Sequence, residues 1–256
     1  MAYVRIGGVE LYSVVAGEGE PVLLLHGGWC SLEYLQAQAD ALVADYRVFA
    51  FERPGHGRSA DVDGEYSYAR MVADTVAYLD AVGLRDVHVV GFSDGAIIGL
   101  LLAMEHPERV RSLVAISANL DPAAFDLSDV EAEESGEPDA ERLAYERLSP
   151  DGPAHADVVL EKLFRLWTGE PHIEPDQLRR IAAPVLIMAG DRDTIRAEHT
   201  LLIAASVPGA QLAIVPGTTH GLVKQRPALV NTLIREFLGP IGAGATRSTG
   251  RRPEPS

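Results

Sequence analysis

Short, uniformly apolar runs alternate with longer stretches in which apolar residues recur every three or four positions. The runs are Val22–Leu25, Val48–Phe51, Val87–Val90, Leu113–Ile116, Val185–Met188 and Leu212–Val215. Each is bounded by turn formers, the pattern of strands buried on both faces. Helical periodicity falls between them, at roughly Leu32–Val43, Ser67–Val82, Ala96–His106, Ala197–Ser206 and Leu222–Leu238. Strand–helix–strand alternation predicts a mostly parallel sheet with helices on both faces. Ahead of the first run, Val4–Ile6 and Glu10–Val15 flank Gly7-Gly8 and predict an antiparallel hairpin at the sheet edge. The expected fold class is therefore α/β, with about eight strands.

The alternation breaks once, between Asn119 and Ile181. Three helical patterns occur there, near Asp139–Leu148, Ala154–Trp167 and Glu174–Ile181, without an evident strand. An insertion of this size with its own helices reads as a lid over the carboxyl edge of the sheet. The chain thus divides into a core (1–120 and 182–239), a helical cap (121–181) and a tail (240–256). Gly, Pro, Ser and Arg dominate that tail, which is expected to be disordered.

Charge narrows the partners. The chain of 256 residues carries 22 Lys+Arg against 37 Asp+Glu, net −15. Nine acidic residues and no basic one lie in Asp121–Glu141, so the remainder nets −6. An acidic surface repels nucleic-acid phosphates and anionic lipid, so neither is expected as a partner. One cysteine, Cys30, allows no intrachain disulfide and fits a reducing compartment. With no signal-peptide pattern and no long apolar run, a cytoplasmic protein is expected.

The strongest chemical signal is Gly91-Phe92-Ser93-Asp94-Gly95, which follows one predicted strand and opens a helix. A tight strand-to-helix turn leaves no room for side chains at the glycines. It lifts the Ser93 hydroxyl above the carboxyl edge of the sheet and aims a helix N-terminus at it. Serine is a weak nucleophile and needs a base, itself oriented by a carboxylate. Two late strands supply candidates: Gly190-Asp191-Arg192-Asp193 follows Val185–Met188, and Gly217-Thr218-Thr219-His220 follows Leu212–Val215. All three loops leave the same sheet edge, where open α/β sheets bind ligands.

On these motifs the chain resembles the α/β-hydrolase superfamily over about residues 1–239, in its esterase and peptidase-like branch with a helical cap. Further likenesses are His26-Gly27-Gly28-Trp29, at the oxyanion-loop position, and Arg53-Pro54-Gly55-His56-Gly57-Arg58-Ser59. The latter is similar to the family's R-G-x-G-x-S turn, with Pro54 as an extra residue. The elbow is also locally similar to that of valacyclovir-hydrolase-like enzymes. The resemblance implies an eight-stranded α/β-hydrolase fold, Ser93 as nucleophile and His220 as base. It favours Asp193 over Asp191 as the acid. It also implies an oxyanion hole from the N–H groups of Asp94 and Gly28, with Trp29 as the alternative to Gly28. The implied activity is cleavage of a carboxylic ester, or an amide or thioester, of a small to medium molecule through an acyl-enzyme. Acyl transfer, lyase or perhydrolase chemistry, or a ligand receptor with a vestigial triad, are the alternatives.

Substrate contacts are expected from Trp29, Phe92, Asp94, Tyr145, Phe164 and Trp167, and Leu163 is a further candidate pocket wall. Core packing is the competing role for the aromatics. For Asp94, beside the nucleophile, a contact to a cationic substrate group competes with helix N-terminal stabilisation. Cys30 reads as a buried filler, and the other seven histidines as turn or surface residues. No cofactor or metal is expected: Gly55-His56-Gly57-Arg58-Ser59-Ala60 mimics a dinucleotide fingerprint, but turn formers follow where a helix should begin. The oligomeric state is left open.

Overall fold

The computed structural model describes residues 2–125 and 140–245. Eight strands form one sheet: β1 (Ala2–Ile6), β2 (Val9–Ala16), β3 (Glu20–Leu25), β4 (Tyr46–Phe51), β5 (Val87–Phe92), β6 (Val110–Ile116), β7 (Val185–Gly190) and β8 (Gln211–Val215). Their spatial order is β1-β2-β4-β3-β5-β6-β7-β8. The hairpin β1–β2 is antiparallel, as is β2 against β4, and every other pair is parallel.

Strand alternation sorts the core into two layers. Leu23, Leu25, Val89, Leu113 and Ile187 face one side, against α2 (Tyr68–Ala81), α3 (Asp94–Glu105) and α6 (Ala197–Ser206). Val22, Leu24, Val90, Val114 and Met188 face the other, against α1 (Gln36–Leu42), α7 (Leu222–Gln225) and α8 (Pro227–Ala245). Burial on both faces explains why these strands read as unbroken apolar runs.

Three elements differ from the pattern. The stretch expected as one helix over Leu222–Leu238 divides at Arg226, whose backbone leaves helical geometry (φ −134°, ψ 57°) just before Pro227. Proline disfavours helical backbone in the residue before it, and at the first position of α8 its missing N–H costs nothing. Helix α8 then runs to Ala245, so the first residues assigned to a disordered tail are helical. Residues 246–256 lie outside the described residues. The pattern near Glu174–Ile181 is a 3₁₀ segment, Pro175–Arg180.

Between β6 and β7 the chain forms α4 (Ala140–Leu148) and α5 (Ala156–Gly169), and most of its acidic stretch, 126–139, lies outside the described residues. Ala156, Val159, Leu163 and Leu166 make one apolar stripe on α5 and join the core beside α2 and α3. Ion pairs to core loops flank that contact: Arg147 to Glu33 at 2.6 Å, Lys162 to Asp61 at 2.7 Å and Arg165 to Glu65 at 2.9 Å. At the base, Ile173 N–H donates to Leu120 O at 2.8 Å. Among the described residues no helix is long and apolar enough to cross a membrane.

Candidate active site

Ser93 sits between β5 and α3 with φ +54° and ψ −119°, a conformation unusual for a residue with a side chain. Its N–H donates to Ile116 O on β6 at 2.8 Å, and its carbonyl accepts from Ala96 N–H at 2.8 Å. The glycines on either side permit this turn by close approach. A Cβ on Gly91 would lie 2.2 Å from Gly95 O, and one on Gly95 would lie 2.1 Å from Leu25 O.

His220 and Asp193 come to Ser93 from the loops after β8 and β7. His220 Nε2 is 3.0 Å from Ser93 Oγ, and His220 Nδ1 is 2.8 Å from Asp193 Oδ1. With Asp193 ionised, Nδ1 carries the proton and Nε2 is free to accept one from Ser93. Burial alone would raise the Asp193 pKa. Hydrogen bonds from His220, Ser117 and Ile195 outweigh it and hold the carboxyl below its ordinary range. Asp191 accepts from Thr218 N–H at 3.0 Å instead, so it braces the loop that carries His220.

The His26–Trp29 loop passes beside Ser93: a Cβ on Gly27 would lie 3.2 Å from the Ser93 Cβ, and one on Gly28 would lie 2.5 Å from Asp94 Oδ2. Arg53, 1% exposed, fixes that loop by donating to His26 O at 2.6 Å and Gly27 O at 2.9 Å. Burial and the Arg53 charge keep His26 neutral, with its pKa well below the usual histidine range. The N–H of Asp94 opens α3, where first-turn donors have no intrahelical acceptor.

The expected substrate contacts divide. Trp29, at φ +55°, stacks on Tyr145 of α4 with centroids 4.9 Å apart. Phe92 is buried between Tyr34, stacked at 5.1 Å, and the His220 ring at 5.2 Å, so it backs the imidazole. Trp167 of α5 reaches the elbow, and its indole lies against Gly28. Leu163 is fully buried in the core. Phe164 does not join them: it is 65% exposed, one position outside the buried stripe of α5. The three-residue spacing to Trp167 places both on neighbouring rows, but only Trp167 lies on the inner one.

Asp94 is buried and already engaged. It accepts from Tyr68 Oη at 2.9 Å and Trp167 Nε1 at 3.1 Å, and Arg53 lies 3.8 Å away. Of the two roles open to Asp94 in the sequence, this partner set bears on the cation contact, because the carboxylate already has three partners. Cys30 is also buried, and burial pushes its thiol pKa up, which suits a filler. Among the described residues no cluster of three His, Cys, Asp or Glu could hold a metal ion. Arg53, Tyr68, Tyr34 and Ser117 were not predicted. Arg53 had a signal, lying in a turn likened to the family's; the others are isolated in sequence from the residues they touch.

The profile of the Alpha/beta hydrolase family matches residues 22–233. A protein of Azorhizobium caulinodans named "Putative carbamate hydrolase RutD" is 30% identical over 94% of this chain and 99% of its own length. The protein of that name from Variovorax paradoxus is 42% identical over 88% of this chain and 94% of its own. Among solved structures, Est816, described as an N-acyl homoserine lactone degrading enzyme, is 25% identical. It has a TM-score of 0.75 over 92% of this chain and all of that one.

Proposed function

The chain belongs to the alpha/beta hydrolase family, and from that premise we propose that it is a serine hydrolase that opens a carboxylic ester through an acyl-enzyme. The observation that carries this reading is the continuous hydrogen-bonded relay from Asp193 through His220 to Ser93 Oγ. Ser93 Oγ attacks the substrate carbonyl carbon while His220 Nε2 takes its proton. The carbonyl oxygen becomes an oxyanion held by the N–H groups of Asp94 and Gly28. Such donors strengthen only as charge develops, and each lowers the barrier by about 3 kcal/mol. His220 returns the proton to the departing alkoxide. A water molecule, deprotonated by His220, then releases the acid and restores Ser93.

The substrate is a small to medium uncharged molecule. The engagement of Asp94 by Tyr68, Trp167 and Arg53 favours a neutral substrate over a cationic one. The β6–β7 segment acts as a cap, with Tyr145 and Trp167 bounding the space over the His26–Trp29 loop. The names of the two relatives favour a second reading, a carbamate, whose carbonyl meets the same nucleophile and oxyanion donors.

The test is covalent trapping. A fluorophosphonate should place one adduct on Ser93 and abolish turnover of p-nitrophenyl esters, and a matched ester and carbamate pair then ranks the two readings. An unlabelled protein without ester or carbamate turnover would identify a receptor with a vestigial site.

A further inference from the structure

Ser117 immediately follows β6 and has no place in the motifs that mark the site. It is one of three described non-glycine residues with positive φ, at +57°. A residue with a side chain is strained there. The other two, Trp29 and Ser93, lie in the oxyanion loop and the nucleophile turn. The Ser117 backbone is clamped to the next strand, where its N–H donates to Met188 O at 2.8 Å. Its side chain then reaches the Asp193 carboxylate, 76 residues away: Ser117 Oγ donates to Asp193 Oδ2 at 2.5 Å.

The two Asp193 oxygens have different supports. Oδ1 accepts from His220 Nδ1 at 2.8 Å and from Ile195 N–H at 3.1 Å. Oδ2 has the Ser117 hydroxyl and a long contact from Gly190 N–H at 3.4 Å. Removing the hydroxyl leaves a buried carboxylate oxygen with one weak donor. The plane of the carboxyl, and so the line from Oδ1 to the imidazole, then loses its second anchor.

We propose that Ser117 is a positioning residue for the hydrolytic reaction, holding Asp193 so that Oδ1 points at His220 and the imidazole stays aligned with Ser93. The inference rests on the serine-hydrolase reading. It explains why a strained serine stands at the end of β6: the left-handed turn brings a hydroxyl from a neighbouring strand to the side of Asp193 opposite His220. Asp193 is faced by His220 from the β8 loop, by Ser117 from the end of β6, and by Ile195 and Gly190 from its own loop. The Tyr34 phenol also lies within its electrostatic reach.

Ser117→Ala and Ser117→Gly separate the hydroxyl from the backbone. Both remove the donor, but only glycine relieves the positive-φ strain. A charge-assisted hydrogen bond to an ionised group implies a loss of about tenfold or more. The expected result is that both variants lose about that factor in kcat, with little change in KM, although the glycine variant is the more stable. Without the hydroxyl, negative charge concentrates on Asp193 and favours the protonated imidazole. The acidic limb of the pH–rate profile should therefore move to higher pH. Wild-type kcat and an unmoved profile in Ser117→Gly would overturn the proposal, because they would reduce Ser117 to a backbone element. Ser93→Ala, assayed alongside, keeps the two claims apart. If it retains activity, the serine-hydrolase reading fails; if it is inactive while Ser117→Gly matches wild type, only the positioning role fails.

Discussion

The indole N–H of Trp167 donates to the carboxylate of Asp94 at 3.1 Å, joining a helix of the β6–β7 segment to the residue directly after Ser93. Trp167 is half-buried, and its ring lies against Gly28. The side chain therefore has two separable functions, a hydrogen bond that fastens the segment and a ring that bounds the space over the His26–Trp29 loop. Trp167→Phe removes the first and largely keeps the second; Trp167→Ala removes both. With esters of increasing acyl length, Trp167→Ala should move the optimum to longer chains, whereas Trp167→Phe should keep the wild-type ranking. An unchanged ranking in Trp167→Ala would remove Trp167 from the pocket.

The same carboxylate predicts a uniform effect. Asp94 is shared among Tyr68, Trp167 and the buried Arg53, so Asp94→Asn disturbs a satisfied network and leaves Arg53 uncompensated. Stability should fall by about 2–4 kcal/mol. In the folded fraction, kcat/KM should fall by one common factor for neutral and amino-bearing esters. A selective loss on amino-bearing esters would restore the cation-contact role.

The two carboxylates of the Gly190–Asp193 loop should differ sharply. Asp193 meets the imidazole and Asp191 meets Thr218 N–H. Asp193→Asn imposes the wrong imidazole tautomer and should lower kcat by about 10⁴. Asp191→Asn removes one loop brace and should cost about tenfold or less. Equal losses in kcat/KM, or a larger loss at Asp191, would reverse the assignment.

Acid should destabilise the fold before the carboxylates protonate. Burial, with the Arg53 charge adding to it, holds His56 down to about 3 and His26 well below the usual histidine range. Unfolded histidine titrates near ~6.5. Below that pH the unfolded chain binds protons that the folded chain refuses, so stability falls as pH drops from about 6.5 toward 3. Where both rings contribute fully, the slope is about 2–3 kcal/mol per pH unit. Urea midpoints between pH 7 and 4.5 should show this decline, and His56→Asn should flatten it by about one proton. A flat wild-type profile between pH 7 and 5 would contradict it.

The sheet was legible because its strands are buried on both faces, so Val87–Val90 and Val185–Met188 stand out from the periodic helices around them. The relay was legible because two of its members sit near glycine turns whose spacing is imposed by the elbow and the β8 loop. What escaped depends on contacts between residues far apart in the chain. Ser117 is an ordinary serine until β6 and β7 are paired and Asp193 is brought beside it. Phe164 and Trp167 share helical spacing, and only the packing of α5 against the core shows which one turns inward. For Asp94 the sequence leaves a cation contact and a helix N-terminal role side by side, because its partners, Arg53, Tyr68 and Trp167, come from three separate segments.

The most direct measurement is ester turnover by Ser93→Ala against wild type, with thermal unfolding recorded on both. Deleting one hydroxyl opens no core cavity, so the variant should unfold at nearly the wild-type temperature. Its kcat should fall by about 10⁴- to 10⁶-fold, the scale of losing the nucleophile from a hydrogen-bonded triad. A folded Ser93→Ala protein that retains near-wild-type turnover would contradict the account at its centre.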